Sequence, residues 1–194
     1  MAKGDKKVKR IYLVRHFQTV APEGVLIGQT DVALSLSGAI RAAELGQELS
    51  DISFDRVFVS PLSRCRKTAK FILGPDFDLA RLEILESLKE IDLGSWEGLS
   101  SKEIKEKFPD IWEQRGQNPD TISPPGGESF NELAKRVRPA WAKIVELDVE
   151  KILVVAHQAV NRVILADELG ISLKKVLTIE QPYGQVKVID KLAK

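Results

Sequence analysis

Apolar residues along this chain come in short unbroken blocks, and between the blocks lie longer stretches in which they recur every three or four positions. The first block, residues 11–14, ends at Arg15-His16 and reads as a strand buried on both faces. A loop through Gly24, Gly28 and Asp31 follows. Ser37 is then placed to cap a helix whose Ala39, Ala42, Ala43, Leu45, Gly46 and Leu49 give a small-residue face suited to close packing on a sheet. Residues 55–59 form a second strand. Ser60-Pro61 opens a helix behind it, because proline at the first helical position loses no hydrogen bond.

The second half repeats the alternation. In residues 82–99, LEILESL has strand character, whereas EIDLGSWEGLS has the glycine and serine content of a functional loop. Residues 102–108 look helical, and NPDTISPPGG must be loop, with three prolines and two glycines in ten residues. Ser129 and Glu132 make a capping box ahead of a helical stripe through Phe130, Leu133, Ala134, Val137, Trp141, Ile144 and Val145, in which Pro139 predicts a kink or a break. Residues 151–156 are another buried strand ending at His157, residues 160–169 a helix stopped by Gly170, and residues 186–189 a last strand. Alternating strands and helices without an internal repeat predict an α/β fold, with a largely parallel sheet covered on both faces.

Composition narrows the function classes. With 194 residues the chain predicts a single domain over residues 10–194, preceded by a basic terminus, residues 1–9, expected to be disordered. That terminus begins like a signal peptide, but its apolar stretch stops at Arg15 and is too short. A net charge of +1 provides no global field for nucleic acid or an anionic membrane, so any anion site must be local. Cys65 is the single cysteine and has no internal disulfide partner, and no apolar run approaches the ~20 residues of a membrane span. These features predict a cytoplasmic protein.

Three predicted strands finish near cationic or imidazole residues: Arg15-His16, Arg64 just inside the second helix, and His157. Carboxyl ends of parallel strands share one edge of a sheet, where ligands bind, so these residues are expected to converge. Such a cluster repels itself unless an anion fills it, and arginine forks with a helix N-terminus suit phosphate. Taken singly, each is more often a surface ion-pair partner or a core histidine; the informative feature is that both histidines of the chain fall at strand ends beside arginines.

Other phosphate chemistries fail on spacing. A cysteine phosphatase needs arginine six residues after its cysteine, where this chain has Phe71, and no GxxxxGK[ST] loop is present. Two histidines and one cysteine make a poor zinc site, leaving an all-carboxylate magnesium site open; a metal-free mechanism is favoured. His16, kept uncharged by neighbouring positive charge, can then attack phosphorus while Arg15, Arg64 and His157 hold the oxygens. The acid that protonates the leaving alkoxide is one of Glu86, Glu90, Asp92 and Glu97.

IYLVRHFQT at 11–19, SPLSRCRKTA at 60–69, EIDLGSWEG at 90–98, PGGES at 125–129 and VVAHQAV at 154–160 together resemble, in order, the motifs of the histidine phosphatase superfamily, the phosphoglycerate-mutase-like proteins. The resemblance implies a three-layer α/β/α sandwich without cofactor or metal. It assigns the phosphohistidine to His16, phosphate binding to Arg15, Arg64, His157 and Thr19, and the proton donor to Glu90, which then activates water as a base. Phe17, Gln29 and Gln158 are candidate substrate contacts. Phe17 replaces the family's usual glycine and either narrows the pocket or packs behind the loop; Gln18 stands where glutamate is common, and Pro22 where many members have a phosphate-contacting asparagine. The expected reaction is hydrolysis of a small phosphorylated metabolite, similar to α-ribazole phosphate or with broad specificity. Alternatives are a fructose-2,6-bisphosphatase-like enzyme, a phosphoglycerate mutase and a non-catalytic phospho-ligand-binding protein. A homodimer is compatible with this reading.

Overall fold

The apolar block ending at Arg15 lies inside the sheet. In the computed structural model, which describes residues 8–192, it belongs to β1 (Val8–Arg15), flanked on one side by β4 (Lys151–Ala156) in parallel and on the other by β5 (Val186–Leu192) in antiparallel register. β2 (Arg56–Val59) extends the sheet beyond β4, and β3 (Leu82–Ile84) closes that edge, giving the order β3-β2-β4-β1-β5. Only β5 runs against the others, so the sheet is mostly parallel as the pattern predicts.

Side chains alternate across the sheet with the strand period of two. Ile11, Leu13, Phe58, Ile152 and Val154 point to one layer, where α5 (Phe130–Glu146) and α6 (Gln158–Leu169) cover them with Leu133, Val137, Ile144, Val160 and Ile164. Tyr12, Val14, Val57, Val59, Leu153 and Val155 point to the other, under α1 (Leu36–Glu48) and α2 (Ser63–Leu73), which supply Ala42, Leu45, Ala69 and Ile72. The result is a three-layer α/β/α sandwich. Each fully buried aliphatic side chain in these layers contributes about 1.5–3 kcal/mol through burial, so the central strands are its most stable part.

Several boundaries differ from the sequence expectation for physical reasons. Ser35, not Ser37, caps α1: its backbone is extended and its Oγ accepts from the Gly38 N–H at 3.0 Å, while Ser37 bonds the Gln18 side chain. α2 begins only at Ser63, after a bend through Pro61 to its extended N-cap Leu62, with the Ser60 hydroxyl engaged by His157. α5 runs unbroken through Pro139, whose exposed position leaves the freed carbonyl to water while the buried stripe holds the helix. Residues 109–117, unassigned from sequence, form α4 (Pro109–Gln117) directly after α3 (Ser101–Lys107), with Pro109 at its start. Of the basic terminus, Val8 and Lys9 belong to β1 and Lys9 is buried, donating to the Val145 carbonyl; residues 1–7 lie outside the described residues.

Candidate active site

Arg15 and His16 leave β1, Ser60 and Arg64 follow β2, and His157 follows β4, all at the carboxyl edge of the sheet. There Arg15, His16 and Arg64 border a cavity of about 360 Å³ whose wall also includes Glu90 and Gln158, while Ser60 and His157 are fully buried. Parallel strand ends therefore bring residues far apart in sequence to one place.

The His16 and His157 rings stand edge to face with centroids 5.1 Å apart. His16 Nδ1 lies 2.8 Å from the Phe17 carbonyl. A carbonyl only accepts, so Nδ1 carries the proton and Nε2 keeps its lone pair. Burial first, then the Arg64 charge, push the His16 pKa down to about 3, against the pull of the Phe17 carbonyl. His16 is thus a neutral imidazole across the physiological range, the state a nucleophile needs.

His157 is completely buried, and Arg64 Nε–H donates to its Nδ1 at 3.3 Å. Its proton must then sit on Nε2, which donates to Ser60 Oγ at 2.7 Å. Burial, His16 and Arg64 hold His157 well below the usual histidine range. The other two Arg64 nitrogens donate to the carbonyls of Gly28 at 2.7 Å and Thr30 at 2.8 Å, fixing the loop that roofs the site. Arg15 has its guanidinium carbon 4.0 Å from the Tyr183 ring centroid, donates to the Gln181 carbonyl and leaves its buried Nε unpartnered. Cys65 is a protonated thiol, its pKa raised by burial, against the His157 ring and the Ala156 carbonyl.

Of the four candidate acids, only Glu90 lines the cavity. Its Oε1 accepts from the backbone N–H groups of Ile91 at 2.9 Å and Ala159 at 3.2 Å, the latter in the first turn of α6. Glu97 instead binds the backbone of Gln29 and Thr30, Asp92 caps the Gly94 N–H at 2.8 Å, and Glu86 is an exposed partner of Lys89. Arg136 holds the Glu90 loop from behind. It forms a bidentate pair with Glu128 and donates to the carbonyls of Ser87, Lys89 and Glu90. The same loop crosses the PGG segment so closely that a Cβ on Gly94 would come within 2.3 Å of the Pro125 carbonyl oxygen.

The model of the Histidine phosphatase superfamily (branch 1) matches residues 11–191. The chain belongs to this superfamily. It is 35% identical over 193 residues to 2-carboxy-D-arabinitol-1-phosphatase of Triticum aestivum, covering 95% of this chain but only 37% of the wheat protein. It is 28% identical over 183 residues to the adenosylcobalamin/alpha-ribazole phosphatase of Escherichia coli K12, covering 93% of this chain and 89% of that protein. The crystal structure of the alpha-ribazole phosphatase from Shigella flexneri superposes with a TM-score of 0.83 at 25% identity, covering 94% of each chain.

Within this histidine phosphatase superfamily member, four of the residues read from sequence stand away from the cavity wall: Thr19, Phe17, Gln29 and the fully buried His157. Thr19 is buried, with its hydroxyl facing the Ala21 N–H at 3.4 Å. Phe17 packs behind the loop in the α1–α2 layer, against Gly184. Gln29 reaches the Glu90 carbonyl at 3.0 Å and so supports the acid's backbone. Sequence reading missed Ser60 as a partner of His157, Arg136 behind Glu90, and Tyr183, Arg115 and Arg162 on the wall. Arg162, one helical turn into α6, follows His157 closely enough for helix periodicity to have marked it. Arg115 and Tyr183 carry no such signal.

Proposed function

We propose that this chain hydrolyses a small phosphomonoester through a phosphohistidine on His16. The observation that carries this reading is the tautomer of His16: with its Nδ1 proton held by the Phe17 carbonyl, the buried ring presents an unprotonated Nε2 among guanidinium groups. Nε2 forms a bond to phosphorus as the phosphorus–oxygen bond to the alcohol breaks, and Glu90 gives that alkoxide its proton. Water then attacks the phosphohistidine, Glu90 takes the water's proton, and inorganic phosphate leaves with His16 regenerated.

Arg15 and Arg64 balance the charge on the transferring phosphoryl oxygens, and His157, with Ser60 behind it, faces His16 across the site. Among the described residues no group of three or more His, Cys, Asp and Glu is placed to hold a metal ion. Both relatives described above are named phosphatases, which favours hydrolysis over transfer to a second alcohol. The partner is accordingly a small phosphorylated metabolite.

The test is hydrolysis of p-nitrophenyl phosphate in excess EDTA by wild type and His16→Ala. The expected result is turnover by the wild type and none above background by the variant. An inactive wild type, or a variant equal to it, contradicts the proposal.

A further inference from the structure

The cavity wall carries more positive charge than one phosphate requires. Four guanidinium groups, those of Arg15, Arg64, Arg115 and Arg162, line it together with the single carboxylate of Glu90. Arg15 and Arg64 belong to the inner end beside His16, as the lowering of its pKa by both records. Arg115 and Arg162 come from α4 and α6 and have no part in the phosphoryl chemistry above.

Arg115 is held by flat contacts alone. Its guanidinium carbon lies 5.6 Å from the ring centroids of both Trp96 and Phe130, and Trp96 is backed by Trp112 at 5.6 Å. Its Nε is buried without a hydrogen-bond partner. Burial first, then the charge of Arg162, lower its pKa to about 10, so it remains a cation. Arg162 donates through Nε to the Ile179 carbonyl at 2.8 Å, which fixes its fork beside the cavity. Among the described residues neither arginine forms an ion pair with a carboxylate. Two partly desolvated cations side by side on one wall, one of them with an unused buried donor, are unfavourable until an anion joins them.

We propose that Arg115 and Arg162 form a second anion subsite, so that the preferred substrate is a small phosphomonoester carrying a further anionic group, a carboxylate or a second phosphate. This rests on the phosphatase reading of the inner site. The phosphate lies at His16, and the carbon skeleton runs along the apolar wall of Leu26, Ile27 and Leu93 toward Arg115. Gln158, on the same wall at the start of α6, can donate to hydroxyl groups between the two ends.

The test compares kcat/KM within two matched pairs: 3-phosphoglycerate against glycerol 3-phosphate, and fructose 1,6-bisphosphate against fructose 6-phosphate. The wild type is expected to favour the doubly anionic member of at least one pair about tenfold or more, the scale of one charge-assisted hydrogen bond. The first pair reads a carboxylate and the second a phosphate. In Arg115→Met and Arg162→Met that ratio falls toward one; being taken within one preparation, it does not depend on the fraction folded. A wild-type ratio near one in both pairs, or a ratio both variants leave unchanged, overturns the subsite. If the wild type hydrolyses none of the four compounds, calorimetric Kd ratios of the same pairs decide the subsite by the same criterion, and p-nitrophenyl phosphate hydrolysis decides the phosphatase reading separately.

Discussion

Arg64 donates its Nε–H to Nδ1 of His157 at 3.3 Å, and this contact sets the protonation pattern of the site. Because a guanidinium cannot accept, the His157 proton is directed to Nε2 and on to Ser60. The same guanidinium holds two carbonyls of the roofing loop. Lysine has neither the fork nor the reach to replace it. Arg64→Lys is therefore expected to lower kcat/KM about 10²–10³-fold, the usual cost of one preorganised donor to a transferring group. Steady-state kinetics on p-nitrophenyl phosphate measure it, and a loss under fivefold would refute this role.

Ser60→Ala removes the acceptor of His157 Nε2–H while leaving the buried fold intact. A buried donor that has lost its oxygen acceptor costs about 1–3 kcal/mol and frees the ring to reorient. A fall in kcat about tenfold or more, with KM changed less, is expected. Ser60→Thr, which keeps the hydroxyl, restores most of it, whereas a merely steric role would make threonine the worse variant.

Glu90→Gln separates the two kinds of leaving group. An alkoxide needs a proton from Glu90, and p-nitrophenolate leaves largely without one, so glycerol 3-phosphate should lose about 10²–10⁴ in kcat/KM and p-nitrophenyl phosphate markedly less. Equal losses on both substrates would remove Glu90 from the role of general acid.

Arg136 acts on Glu90 only through the backbone. Its five donated hydrogen bonds tie Glu128 and three loop carbonyls. Arg136→Met is expected to cost about 2–4 kcal/mol of stability by urea denaturation, and to lower kcat in the molecules that remain folded. Unchanged stability would show that the loop is held by other contacts.

The two buried histidines also make stability depend on pH in a fixed direction. Both have folded pKa values depressed below the ordinary 6.5, His16 to about 3, so below pH 6.5 the unfolded chain binds protons that the folded one does not. Stability is full above that value and falls as pH drops toward the folded pKa. Between pH 7 and 5.5 the loss from His16 is about 1 kcal/mol, and His16→Ala should remove that part of the pH dependence. Urea titrations at both pH values check this; a wild type equally stable at each contradicts the neutral, buried state of the rings.

What the sequence disclosed follows the strength of the local signals. Unbroken apolar blocks located β1, β2 and β4, and strand-end topology was enough to gather Arg15, His16, Arg64 and His157, because parallel strands leave no other edge for them. The order of motifs singled out Glu90, which spacing alone left among four acids; of the four it is the one on the cavity wall, while Glu97, Asp92 and Glu86 bond elsewhere. Contacts made by tertiary packing were not legible. Thr19 and Phe17 sit in the signature segment yet face the turn and the α1–α2 layer, and Gln29 supports Glu90 from outside the wall. Arg115 reaches the cavity from α4, whose sequence carries no periodic apolar stripe to mark it. Ser60 was read as the beginning of a helix, and its engagement with His157 accompanies the later start of α2 at Ser63.

The most direct measurement is the location of the phosphoryl group during turnover. Enzyme mixed with radiolabelled phosphomonoester is quenched into alkali, where a phosphorus–nitrogen bond survives, then digested and its labelled peptide sequenced. The account predicts an acid-labile label on the peptide containing His16 and none in His16→Ala. Label on any other side chain, or full turnover by the variant without it, contradicts the account.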